Sequence, residues 1–253
     1  MTILDQSLCL LDGVSPEAEI RLRRAGVLTC RQLADEADRW FSAHHADRVR
    51  NSFAQMDLAT RLGLAEWFVG HMPAGHRVRA LRAFAGDVLF YDIETDGMGR
   101  GACITCITTL REGNARTFVR GRDLDGFLEE WATAKILVGF NSKRFDTPIV
   151  CKEFGLASAP PQVDLMDEAG HYGLRGGLKA IEKRIGFART AEGCANGADA
   201  VECWRRWRDE GDAAALESLI AYNREDVFSL QCLALHLLGL SIENTDIRRS
   251  LTN

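Results

Sequence analysis

Apolar positions in the first 70 residues recur at helical spacing, and turn residues interrupt them at Asp12-Gly13, Ser15-Pro16 and Gly26. The pattern predicts a helix that starts at Ser15-Pro16 and stops at Gly26, followed by a helix that Thr29 caps. HMPAGHRVRALRAF, 71 to 84, reads as a linker. The period then changes. Strands are expected at about 87–94, 102–109 and 115–120, a helix at about 123–134 and a short apolar strand in KILVGF at 135–140. Further helices follow, ending in a long one from about 213 to 238. Three strands and then alternating strand and helix describe an α/β chain, a mixed sheet with helices packed on it. The boundaries predicted are a small all-α accessory domain at 1–70, a linker at 71–85, the α/β domain at 86–240 and a C-terminal tail at 241–253. No internal repeat or low-complexity tract is visible.

The first strand carries an anomaly. In LFYDIETDG, Asp92 and Glu94 stand two apart, so both carboxylates project from one face while Tyr91 and Ile93 project from the other. Like charges that close repel, and burying either is costly without compensation. The pair asks for a cation, although solvent-facing acids on an edge strand would read the same. Asp146 follows the apolar strand at the start of a helix opened by Pro148, where the helix dipole favours an anion. An ordinary N-cap Asp fits there equally well. Tyr222 and Asp226 lie four apart on the long helix, hence on one face, beside an apolar stripe of Leu219, Val227, Leu230 and Leu237. A boundary Asp with its Tyr half in solvent is the plainer reading of that motif alone.

Composition changes this picture little. At 253 residues, 46% hydrophobic and 26% charged, the chain has the balance of a soluble globular protein. The opening MTILDQSLCLLDG has no basic leader, and no apolar run approaches the length of a membrane span. A cytoplasmic location and no membrane partner are therefore expected. Eight scattered cysteines point to reduced thiols. Cys103 and Cys106 form a lone CxxC inside a strand pattern that puts them on opposite sides, a poor zinc site. The net charge is −5, but it is unevenly spread. Of 31 basic and 36 acidic residues, residues 1–85 hold 11 and 10, leaving 20 and 26 downstream. The acidic excess belongs to the part that holds the acid pair.

Together, DIET at 92–95, the Asn141-to-Asp146 run N-x-x-x-F-D and Tyr222-to-Asp226 as Y-x-x-x-D resemble the three motifs of the DEDD exonuclease superfamily in its Tyr-bearing subclass. The His-bearing subclass would place histidine where Ala221 stands. The chain is most similar to the YprB-type ribonuclease H-like family, through FVRGRDLDGF, the VDL at 163–165, GGLKAIEKRIGFAR and NGADAVECWRRW. This resemblance implies a ribonuclease H-like fold, a five-stranded mixed sheet flanked by helices. It also implies Asp92, Glu94, Asp146 and Asp226 as ligands of two Mg²⁺ or Mn²⁺ ions, with Tyr222 orienting the attacking water. The activity implied is 3′–5′ exonucleolytic hydrolysis of phosphodiesters, releasing nucleoside monophosphates from a nucleic-acid partner with a single-stranded 3′ end.

Thr95 and Gly97 would approach the terminal nucleotide, and Asn141 belongs to the second motif. The family more often has Thr at the position of Asp96, so the resemblance gives Asp96 no role. Lys179 and Lys183 share a helix face that could track a backbone or simply face solvent. Trp204 and Trp207 with Arg205, Arg206 and Arg208 read as core and rim more readily than as a stacking surface. His171 reads as a surface or boundary residue. The first two helices resemble a helix-hairpin-helix element whose usual second glycine is Ser15, so backbone-phosphate binding and a structural cap both stay open. DNA and RNA stay open as substrates, and so do two alternative functions, a structure-selective endonuclease on the same fold and a non-catalytic nucleic-acid binding module.

Overall fold

The computed structural model describes residues 3–97, 101–189, 194 and 196–243. Its framework is one sheet of five strands: β1 (Val88–Thr95), β2 (Ile104–Arg111), β3 (Asn114–Val119), β4 (Ile136–Gly139) and β5 (Gln162–Asp164), in the order β3-β2-β1-β4-β5. β1 runs antiparallel to β2, and β2 to β3; β4 lies parallel to β1, and β5 to β4. The expected ribonuclease H-like mixed sheet is therefore present, with β1 at its centre. The three-residue β5, hidden behind Pro160 and Pro161, is too short to leave a periodic signal in the sequence.

The period-two alternation of β1 sorts its side chains onto two cores. Leu89, Tyr91 and Ile93 join Phe118, Phe127, Trp131, Leu137 and Val150 on one face, where α7 (Phe127–Thr133) and α8 (Asp146–Phe154) pack. Val88 turns the other way, with Ile136, Val138 and Val163, to meet Leu230, Leu233 and Leu237 of a long helix. That helix runs from Ala213 to Glu243, past the expected end at 238 and into the expected tail, of which residues 244–253 lie outside the described residues.

The N-terminal helices are α1 (Pro16–Arg24), α2 (Cys30–Asp35), α3 (Ala37–Trp40), α4 (Ala43–Leu62) and α5 (Ala65–His71). Ser15 Oγ accepts the Ala18 N–H at 3.2 Å and Thr29 Oγ1 the Gln32 N–H at 3.0 Å, so both predicted caps form. Gly26, with φ +94°, turns the chain between them in the left-handed region open to glycine. At the hairpin, Asp12 N–H donates to Ser52 Oγ at 3.0 Å and Val14 N–H to the Leu11 carbonyl at 3.0 Å, so two of its main-chain donors serve the fold. Leu8, Leu33 and Phe68 belong to the same buried cluster as Val138 and Leu230, which packs this helical region onto the sheet domain.

The stretch read as a linker, 71–84, is packed into the fold. It contains α6 (Val78–Ala83), and Arg79 on that helix is fully buried against Glu19 of α1 and Ser241 of the long helix. The consecutive buried residues Val78, Arg79, Ala80 and Leu81 and the charge pair hold it in the core. The remaining helices are α9 (Leu165–His171), α10 (Leu178–Ile185), α11 (Gly197–Glu210) and the long α12 (Ala213–Glu243).

Candidate metal centre

Asp92 and Glu94 leave β1 on the face that α12 crosses, and α12 brings Asp226 to them. Ligand oxygens of Asp92, Glu94 and Asp226 all lie within 4.8 Å of one another. Tyr222, one turn before Asp226, is buried and packs with Leu219, Leu216 and Trp204, so this helix face is held in register by its apolar neighbours. Asn223 is fully buried between them, and its Nδ2 donates to Asp92 Oδ2 at 2.7 Å, which fixes one carboxylate.

Asp146 lines the same cleft but stands outside this group of three. It is the first residue of α8, not its N-cap, and its Oδ1 accepts the Ile93 N–H at 3.3 Å, on the backbone between the two β1 acids. The turn that delivers it is tightly specified. A side chain at Gly139 would come within 2.5 Å of Ser142, and Asn141 takes a left-handed φ of +58° that asparagine tolerates. Asp164, fully buried at the end of β5, accepts the N–H groups of Asn141 at 2.8 Å, Lys143 at 3.2 Å and Met166 at 3.0 Å. On the opposite face, Tyr91 shares a 2.6 Å hydrogen bond with Thr147, which anchors the start of α8.

Crowding four carboxyls into one cleft raises the affinity of each for its proton. Burial is the leading cause in every case, and the neighbouring acids add to it. Asp92 is pushed well up, Glu94 to about 8 and Asp146 to about 7. Asp226 is raised as well, with Arg189 opposing the shift. The donor set is all hard carboxylate oxygen and lacks enough positive charge of its own, which is the chemistry that suits Mg²⁺ or Mn²⁺. The cluster Asp92, Glu94 and Asp226 could hold such an ion.

The cleft has a volume of about 410 Å³ and is lined in addition by Asn141, Phe145, Lys179, Asn196 and Tyr222. Lys179 Nζ donates to the Tyr222 hydroxyl at 3.1 Å and lies 4.4 Å from its ring centre. Thr95 and Gly97 do not line it. Past the bulge that follows Glu94, Thr95 is buried and its hydroxyl donates to the Gly97 carbonyl at 2.8 Å. Asp96 has a structural use: its N–H donates to the Cys103 carbonyl at 3.0 Å and its Oδ1 accepts the Cys103 N–H at 2.8 Å, closing the connection to β2. Lys183 and His171 are exposed. Trp204 is core, Trp207 stacks under Arg122 at 4.6 Å, and Arg205, Arg206 and Arg208 pair with acids on the surface.

Asn223, Asp164, Glu182 and Arg189 support the site and were not singled out from the sequence. Asn223 adjoins Tyr222, Asp164 is the centre of the VDL at 163–165, and Glu182 and Arg189 fall inside GGLKAIEKRIGFAR, which is the nearest the sequence came to pointing at them.

A family model described as RNase H superfamily matches residues 89–238. No curated protein matches the chain. Among solved structures, the family B DNA polymerase from the hyperthermophilic archaeon Pyrobaculum calidifontis is similar at 22% identity and a TM-score of 0.49. That similarity covers 60% of this chain and 24% of the polymerase chain, so it spans about a quarter of the polymerase.

Proposed function

The chain belongs to the RNase H superfamily, and from that premise we propose that it is a metal-dependent 3′–5′ exonuclease acting on nucleic acid. The observation that carries the reading is the meeting of Asp92, Glu94 and Asp226 from distant sequence in one open cleft, with ligand oxygens within 4.8 Å of one another. The matched residues include all three, together with Asp146 and Tyr222. No helix among the described residues is long and apolar enough to cross a membrane.

Asp92, Glu94 and Asp226 would hold the ions, with Asp146 beside them. When bound, two divalent cations supply a more acidic water and neutralise charge on the phosphate being cleaved. Everything else falls to side chains of this chain. Burial keeps the Tyr222 phenol protonated by raising its pKa. Because its oxygen accepts from Lys179, its own O–H remains able to donate to a water in the cleft and aim it. Asn223 keeps Asp92 turned toward its neighbours, and Asp164 holds the Asn141 turn so that Asp146 faces inward. Lys179 adds positive charge where a phosphate would enter past four acids. The 3′ polarity rests on the resemblance of the three motifs.

End-labelled linear and circular single strands of DNA and RNA, incubated with and without Mn²⁺, test the reading. Mn²⁺-dependent release of mononucleotides from linear 3′ ends, with circles left intact, is the expected result. Cleavage of circles at a comparable rate would replace exonuclease with endonuclease. Binding with no cleavage of any substrate would leave only a binding module.

A further inference from the structure

A second cation, besides Lys179, reaches the acids from beside the cleft. Arg189 leaves the end of α10 and folds its guanidinium back onto that helix. Its Nε donates to Glu182 Oε2 at 2.8 Å and its Nη2 to Glu182 Oε1 at 2.6 Å, a two-point planar pair. Glu182 is 3% exposed, so this anchor is shielded from solvent. Nη2 also donates to Asp226 Oδ1, on a carboxylate of the acid cluster, and the guanidinium carbon lies 5.7 Å from the Tyr222 ring centre. Nη1 is buried and has no acceptor among the described residues. Arg189 leaves Nη1 unused and lends Nη2 to a carboxylate that a metal ion would claim.

We propose that Arg189 is a phosphate-binding residue of the cleft, parked on Asp226 until divalent cations take that carboxylate and held by Glu182 throughout. This rests on the nuclease reading given above. Asp226 cannot give the same oxygen to a metal ion and to Nη2 without putting two cations side by side. Once the ion is bound, the outer hydrogen of Nη2 is released while its inner hydrogen and Nε stay on Glu182. The free edge of the guanidinium then offers Nη1 and Nη2 together, a pair of parallel donors that matches two oxygens of one phosphate. The ligand class is therefore a phosphodiester or terminal phosphate of the nucleic acid, and the metal-free contact with Asp226 is a placeholder for it.

R189M and R189Q test this in two measurements that need no turnover. Both are neutral, so a folding failure of one, seen by circular dichroism, does not decide the result. In Mn²⁺ titrations without nucleic acid, both variants are expected to bind the ion roughly tenfold more tightly, because a competing positive charge has left Asp226. In Ca²⁺, an ion that also fills oxygen cages, a short single-stranded oligonucleotide should bind roughly tenfold more weakly, with its salt slope reduced by about 0.7 for one lost phosphate contact. R189K should recover part of that affinity, since it restores the charge without the planar fork. Unchanged oligonucleotide affinity and salt slope in the neutral variants, or unchanged Mn²⁺ affinity, would overturn the proposal. A parent protein that shows both binding effects and cleaves nothing would sink the nuclease reading and leave the role of Arg189 standing.

Discussion

Two groups of buried ionisable side chains lie along α12, and they are built on different plans. Near its C-terminal end, Glu19 and Arg79 are both fully buried and pair at 3.0 Å, with Arg23 on the same glutamate at 3.3 Å. Arg79 also donates through Nε to Ser241 Oγ at 2.8 Å and through Nη2 to the Ser241 carbonyl at 3.1 Å. Leu8 N–H completes the coordination of Glu19 at 3.1 Å. At the middle of the helix, Asp92, Glu94, Asp146 and Asp226 bring four acids to one cleft, with Lys179 and the partly committed Arg189 as nearby cations. Burial of charge alone separates nothing. The mix of signs does: the first group sets two arginines on one glutamate and ties the helical region to the sheet domain, while the second gathers four acids whose charge something from outside would offset.

The sharpest way to break this contrast is to remove one acid from the cleft. Asp92→Asn should cut Mn²⁺-dependent hydrolysis by at least about 10³-fold, the scale of losing a preorganised charge in a transition state. The metal-free variant should nevertheless melt higher, by about 3 °C, because asparagine replaces a buried carboxyl that folding forces either to take up a proton or to stay charged among other acids. A lower melting temperature would show that the acids are structural after all. Nuclease assays and thermal melts in a chelator report both effects.

The mirror experiment is Glu19→Ala. It leaves Arg79 and Arg23 buried without their shared partner and should cost about 3–5 kcal/mol of stability, read from denaturant unfolding. Per folded molecule, metal binding should stay as in the parent. Loss of Mn²⁺ binding without loss of stability would erase the distinction between the two groups.

A smaller effect distinguishes the groups by pH. Glu94 and Asp146 hold their protons up to about 8 and about 7 when folded, whereas an unfolded chain would release them near 4. The folded state thus binds more protons in that window. The contribution of these two groups to metal-free stability should be full below about 4, fall as pH rises toward about 8, and then level off. Divalent cations, which bind the deprotonated acids, should flatten or reverse the slope. Melting curves from pH 5 to 8 with chelator and with Mg²⁺ test the sign.

Much of the cleft was legible because its main motifs follow local periodicities. Alternation on β1 put Asp92 and Glu94 on one face, and helical spacing put Tyr222 and Asp226 on one face of α12. Both consequences hold for any strand or helix, whatever it packs against. The mixed sheet was legible for the same reason, apart from the three-residue β5. The burial of Arg79 was not legible, because it depends on Glu19 and Ser241, 60 and 162 residues away.

By itself, then, the sequence determined which faces carry carboxylates, where the strands and the long helix lie, and that the acids needed compensation. Only the tertiary structure decided which oxygens meet within 4.8 Å, that Asn223 steadies Asp92, that Asp164 holds the Asn141 turn, and that Arg189 rests on Asp226. The physical reason is range. Backbone geometry repeats every two or 3.6 residues and can be read along the chain, whereas a hydrogen bond or ion pair forms between whatever groups packing brings within about 3 Å, at any separation in sequence.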